Sequence, residues 1–168
     1  KEEPDDWQRF GDPWSIRREE EAVLVEFADQ TVRAVPYDMP VIGYGGEHIN
    51  TLRLWQAEAV DGFDLELFNR QQYDKAVAAR NRAEDINAVL YPSDDTPKGK
   101  KLRLKQQYFF VSATVQSICR KHKAEYGTLR NFHEKHVLQI NDTHPTLVIP
   151  ELMRILLDQE GYSWEDAW

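Results

Sequence analysis

Cysteine is almost missing from this chain. Cys119 is the only one in 168 residues, which excludes any disulfide within the chain. It lies in an apolar helical run, so it reads as a small core residue and not as a nucleophile. A reduced, cytoplasmic setting is expected. Long hydrophobic runs are missing too. None approaches the roughly 20 residues that span a bilayer, so no membrane partner is expected. The start shows no charged-then-apolar secretory pattern. An excess of positive charge is likewise absent. Lys and Arg number 21 against 29 Asp and Glu, for a net charge of −8 and a pI near 5.1. A nucleic-acid binder carries clustered basic surplus, so no nucleic-acid partner is expected. There is no internal repeat and no low-complexity stretch.

What is present suits one domain with a sizeable core. Residues 1–21 are strongly charged, with Asp12-Pro13-Trp14 as a turn and Arg17-Arg18-Glu19-Glu20-Glu21 as a solvated run. Val23–Phe27 and Thr31–Val35 are rich in β-branched residues and predict a hairpin joined by Ala28-Asp29-Gln30. Pro36, Pro40 and Gly43 then predict an irregular stretch. Thr51–Ala57 mostly alternates apolar and polar residues, the strand period. Tyr73 to Leu90 has the spacing of one amphipathic helix, with Tyr73, Ala76, Val77, Ala83, Ile86 and Leu90 near one stripe. A second helix is predicted from about Leu102 to Lys123, buried around Tyr108–Cys119 and ended by Tyr126-Gly127. Together these units indicate an α/β fold.

The most informative stretch comes later. Val137-Leu138-Gln139-Ile140 suits a buried strand and runs straight into Asn141-Asp142-Thr143-His144-Pro145. An apolar helical pattern follows (Leu147, Ile149, Leu152, Met153, Ile155, Leu156). In α/β proteins the loop after a strand's carboxyl end is where ligands are gripped. From residue types alone, Asp142 or Thr143 either N-caps the helix or helps to hold a polar ligand. Tyr91–Gly99, rich in turn formers, reads as a surface connector. The basic run Lys98, Lys100, Lys101, Arg103 and Lys105 decorates a solvated face, unless Arg103 faces a cleft. His133 and His136, three apart with no evident further ligand, are a weak metal signal. His48 and His122 add nothing, so no metal site is assigned.

Asn141–Pro145, with Ile149-Pro150-Glu151-Leu152-Met153-Arg154 after it, resembles the corresponding segment of the α-glucan phosphorylases. Further words of the same family stand upstream in the same order. They are Phe10-Gly11-Asp12-Pro13-Trp14, Pro36–Tyr44, Asn50–Trp55, Val89–Asp94 and Lys101–Phe109. The resemblance covers about Asp5 to Trp168. It implies an enzyme that removes the terminal glucose of an α-1,4-glucan with inorganic phosphate, giving glucose 1-phosphate with retained configuration. It also implies a GT-B type fold of two Rossmann-like domains facing across a cleft. Residues 1–168 would be a single partial domain, the later part of the N-terminal one. The cofactor implied is pyridoxal phosphate, bound by a lysine of the other domain and so outside this chain. Ser163–Trp168 reads as a helix just begun at a Ser cap, which suggests a truncated chain. Alone, such a piece is expected to be inactive. The alternative is a non-catalytic glucan-binding or dimerisation module.

Residue by residue, the resemblance assigns the catalytic wall to Asp142 and His144, with Thr143 shaping the substrate side. Tyr91–Gly99 matches the family's loop that gates the cleft. Asp94 falls on a family aspartate, and Asp95 and Arg103 fall on the substrate side. Thr96-Pro97 replaces paired aromatics of the animal enzymes. Arg120-Lys121 stands where those enzymes carry two arginines for an activating nucleotide. With Lys in second place, nucleotide activation is not expected. Tyr73–Leu90 matches the helix that pairs subunits, implying a homodimer.

Overall fold

A computed structural model describes residues 14–168. The Asp12-Pro13 turn and the Phe10–Pro13 part of its sequence word lie outside the described residues. The described residues group into two compact units that meet at Gln106 and Gln107.

The first unit is built on a four-stranded antiparallel sheet. Its strands are β1 (Ile16–Arg17), β2 (Val23–Glu26), β3 (Thr31–Ile42) and β4 (Ile49–Ala59). The β2–β3 hairpin forms as the alternation predicts. Glu26 faces Thr31, and the Phe27 amide donates to the Gln30 carbonyl at 2.8 Å. Asp29 at its tip accepts from Lys105 at 2.6 Å and Lys101 at 2.9 Å, which hold its carboxyl down at about 2. Alternation buries Val23, Val25, Val32 and Ala34 on one face, with Trp55 and Ala57 beside them.

The irregular stretch expected from Pro36 and Pro40 is instead continuous strand. The reason is the edge each proline faces. The Arg18 amide donates to the Pro36 carbonyl at 2.9 Å, so the proline nitrogen points to the same edge. That is the seam where β2 ends and β1 begins, and no ladder donor is required there. By alternation Pro40 points to that edge beyond β1, while β4 runs unbroken along the other.

The charged run near the start is not a merely solvated face. Arg53 donates to both Asp38 oxygens at 2.7 Å and to Glu21 at 2.7 Å. Arg17 forks onto Glu58 across the sheet. The Arg53 bonds keep the buried Asp38 carboxyl below its usual range.

After the sheet come α1 (Leu65–Asn69), α2 (Tyr73–Ala76) and α3 (Ala78–Glu84). The single helix expected over 73–90 is broken. Val77 has φ −107° and ψ −2°, and turns replace helix after Glu84. Ala76, Ala83 and Ile86 are buried as their stripe requires, but Tyr73 and Leu90 are exposed. Asn87 then borders β4, accepting from the Ala57 amide at 3.1 Å and donating to the Trp55 carbonyl at 3.0 Å.

Helix α4 (Pro97–Tyr126) begins in the first unit and ends in the second. It starts five residues before the predicted Leu102 because Thr96 caps it. The Gly99 amide donates to Thr96 Oγ1 at 3.1 Å, and Pro97 fills the first turn, where its missing N–H costs nothing. It ends at Gly127, whose φ of 73° suits the left-handed residue that closes a helix.

The second unit packs the latter part of α4 against α5 (Phe132–Lys135), α6 (Val148–Arg154) and the wide turn Ile155–Gln159. Val111, Val115, Cys119, Leu129, Phe132, Ile155 and Leu156 form its core. Burial and nearby Glu160 push the Cys119 thiol up to about 11, as fits an inert core residue. Helix α7 (Trp164–Ala167) is capped by Ser163, which accepts from the Asp166 amide at 3.1 Å.

Candidate functional site

Two groups of polar residues match the positions singled out by sequence, and each lies in its own unit.

The first is the 137–147 segment. Val137–Ile140 has no regular structure and belongs to no ladder among the described residues. The expectation of a buried strand is not met, for Val137 is 93% exposed. A strand buried on both faces needs neighbours at both edges, and a local apolar run cannot supply them. The segment ends at Asp142, which sits at φ 68°. Only Gly, Asn and Asp visit that region readily. There Asp142 Oδ1 accepts from the Thr143 amide at 2.6 Å and from Thr143 Oγ1 at 3.2 Å. Thr143 precedes a 3-10 turn, His144–Leu147, with Pro145 in its first positions. Its carbonyl accepts from Thr146 Oγ1 at 2.6 Å, and its side chain caps nothing. A helix cap accepts from the amide two or three residues on. The Asp142 carboxylate turns back onto the next residue instead. The capping role is therefore not played by the Thr143 side chain. Asp142 and Thr143 are exposed, and His144 is half-buried.

The helix that follows the loop is tied to α4 by a group that sequence reasoning missed. Glu151 in α6 is 3% exposed. It accepts from Ser112 Oγ at 2.6 Å, Tyr108 Oη at 3.2 Å and Arg154 at 2.8 and 2.9 Å. Burial opposes its ionisation, but the Arg154 and Ser112 bonds outweigh burial and keep the carboxyl below its usual range. One signal was legible: Glu151 interrupts the apolar stripe Val148–Leu152–Ile155 and stands three residues before an arginine.

The histidines also pair unexpectedly. His136 meets buried His122 and not His133, with His122 Nδ1 and His136 Nε2 2.9 Å apart. His122 Nε2 lies 2.8 Å from Asn131 Oδ1. If Nε2 donates to Asn131, Nδ1 is the acceptor and His136 donates. Burial, then proximity to His122, holds the His136 imidazole below its ordinary range. The unfolded chain therefore binds this proton first. The contribution is whole above the ordinary value of about 6.5 and is lost as pH falls through it towards the lower folded value. His136→Gln keeps an N–H where Nε2 was but removes the titration. The variant is expected to lose less stability than wild type between about pH 7 and pH 5. Urea midpoints across that range measure it, and parallel curves would refute the assignment.

The second group is the loop 91–96. Asp94 is exposed and lies 3.6 Å from Arg103 Nε. The Arg103 guanidinium also sits 5.4 Å from the Tyr91 ring centre. Asp95 accepts from Ser93 Oγ at 2.9 Å. Of the residues picked out by sequence, Asp94 and Arg103 are thus brought together in one unit, and Asp142, Thr143 and His144 in the other. Lys101 and Lys105 turn away to Asp29.

Comparison with known proteins identifies the family. The family model described as carbohydrate phosphorylase matches residues 1–168. A glycogen phosphorylase of Synechocystis sp. is 42% identical over 183 residues, covering 98% of this chain and 22% of that protein. The muscle form of Ovis aries is 47% identical and the brain form of Homo sapiens 46%, each over 189 residues, 99% of this chain and 22% of theirs. The chain thus spans about a fifth of the length of these relatives. Matched along its whole length, the chain belongs to the carbohydrate phosphorylase family.

Proposed function

We propose that this chain is part of an α-glucan phosphorylase that releases glucose 1-phosphate from α-1,4-glucan ends with inorganic phosphate. The observation that carries the reading is the match along all 168 residues to glycogen phosphorylases. In this reading both units belong to the N-terminal domain of a GT-B pair in the cytoplasm. Among the described residues no helix is long and apolar enough to cross a membrane.

The chain supplies one wall of the cleft. Asp142 and His144 present polar groups to the reacting sugar, Thr143 fixes the Asp142 carboxylate, and Asp94 is the polar group of the gating loop. Asp95 and Arg103 serve the substrate side. Fixed polar groups of this kind stabilise charge that develops in the transition state. The turned-back Asp142 carboxylate supports this, since its bonds from Thr143 hold it in one orientation.

The family's cofactor, pyridoxal phosphate, is anchored through a lysine. Among the described residues no lysine is buried, and Lys105 and Lys123 lie against Asp29 and Glu160. These residues do not fit that anchor, and the reading places it in the other domain. Exposed Tyr73, Val89 and Leu90 support a homodimer through the 73–90 segment.

The test is to assay the full-length protein for glucose 1-phosphate from α-1,4-glucan and inorganic phosphate, with and without AMP. Release at a rate indifferent to AMP is expected. Glucan binding without release would instead favour a non-catalytic module, and strong activation would refute the reading of Arg120-Lys121.

A further inference from the structure

One face of α4 carries a device that no sequence word announced. Gly99, Arg103 and Gln106 are spaced four and three apart, so they share a side of the helix. The 86–94 backbone lies against that side. Gln106 is 4% exposed, and its amide is fully engaged with this segment. Its Nε2 donates to the carbonyls of Ile86 at 2.9 Å and Val89 at 2.8 Å, and its Oε1 accepts from the Tyr91 amide at 3.1 Å. Both of its N–H donors are used, so the side chain has one orientation that satisfies them. Seven residues earlier on the same face, Gly99 meets the other end of the segment. A Cβ there would fall on the Ser93 carbonyl oxygen, with the Ser93 carbonyl carbon at 3.1 Å and Asp94 Cα at 3.3 Å. Gly99 has no positive φ to explain it. The close approach of the loop backbone is what requires glycine.

We propose that Gln106 and Gly99 form a two-point seat that sets the resting position of the 91–96 loop, and with it the position of Asp94. They are positioning residues, and they act through the loop. Arg103, between them, reaches Asp94 at 3.6 Å from a half-exposed position. That pair is the weakest of the three holds, since a solvated ion pair contributes little. Opening therefore begins at Asp94, while the Gln106 end acts as the pivot. The consequence for turnover rests on the reading of this loop as the gate; the seat itself does not.

The experiment uses the full-length protein with Gly99→Ala, Gln106→Glu and, as a control on the same turn, Lys100→Ala. Gln106→Glu keeps the shape and the acceptor for Tyr91 but turns a carboxylate onto two carbonyls. Amide hydrogen exchange of residues 91–96 is read by mass spectrometry, beside kcat and the KM for phosphate. Exchange there is expected to rise about tenfold or more in both seat variants and not in the control, the effect of losing one well-made contact. The KM for phosphate should rise more than kcat falls. Unchanged exchange in both seat variants overturns the proposal. Faster exchange with unaltered kinetics upholds the seat and overturns the gate reading. Should Gln106→Glu fail to fold, Gly99→Ala decides alone, because it lies at the first turn of the helix and outside the core.

Discussion

Asp142→Asn in the full-length enzyme is expected to lower kcat by about 10²-fold or more, with little change in melting temperature. The magnitude is that of removing one preorganised polar group from a reacting centre. The small effect on stability follows from the backbone. Asn is among the few residues at ease at φ 68°, and its Oδ1 can still accept from the Thr143 amide and hydroxyl. The loop survives, and only the charge and the second carboxylate oxygen are lost. His144→Ala is expected to behave alike. Asp142→Ala differs, for it adds backbone strain of about 1–2 kcal/mol. Initial rates at saturating glucan and phosphate, set beside thermal melts, decide the matter. If rate and stability fall together in Asp142→Asn, the residue merely shapes the loop, and its catalytic role is refuted.

The second large effect concerns folding. Glu151→Ala is expected to cost about 3 kcal/mol, measured as a shift in urea midpoint. Breaking a buried pair by removing one partner typically costs about 3–5 kcal/mol. The lower end applies because the Arg154 side chain is 36% exposed and regains water. Ser112 and Tyr108 lose an acceptor in the same step. Glu151→Met should cost less, because it refills the volume and Arg154 can swing outward. Equal losses in Ala and Met would mean that the hydrogen bonds, and not the cavity, carry the cost. A loss below about 1 kcal/mol in Ala would refute the network's importance.

Much of the architecture was legible wherever a signal is local. The β2–β3 hairpin was readable because β-branched runs flank a short polar turn. The Ser163 cap and the Gly127 stop were readable because capping depends on one residue's chemistry. The misreadings share a cause. Pro36 and Pro40 look like breakers until one knows which edge of β3 they face. Val137–Ile140 looks like a strand because apolar β-formers favour one, but a strand exists only with its partners. The helix over 73–90 broke at Val77, where tertiary packing overrode a pattern carried by only a few apolar residues. At the site, the polar run Asn141–His144 was visible as chemistry. What anchors the elements on either side of it was hidden in distance: Ser112 and Glu151 are 39 residues apart, and His122 and His136 are 14 apart. Thr96, dismissed as loop, turned out to start the longest helix.

The exposed apolar residues of Val137–Ile140 also bear on how this sequence behaves as a material. A row of amides and carbonyls that belongs to no sheet among the described residues, flanked by apolar side chains, is a template for strand addition. Between copies, that template promotes assembly into aggregates, and its hazard grows with concentration. The same residues that lead into Asp142 are therefore the ones where a covering neighbour would lower the tendency to aggregate.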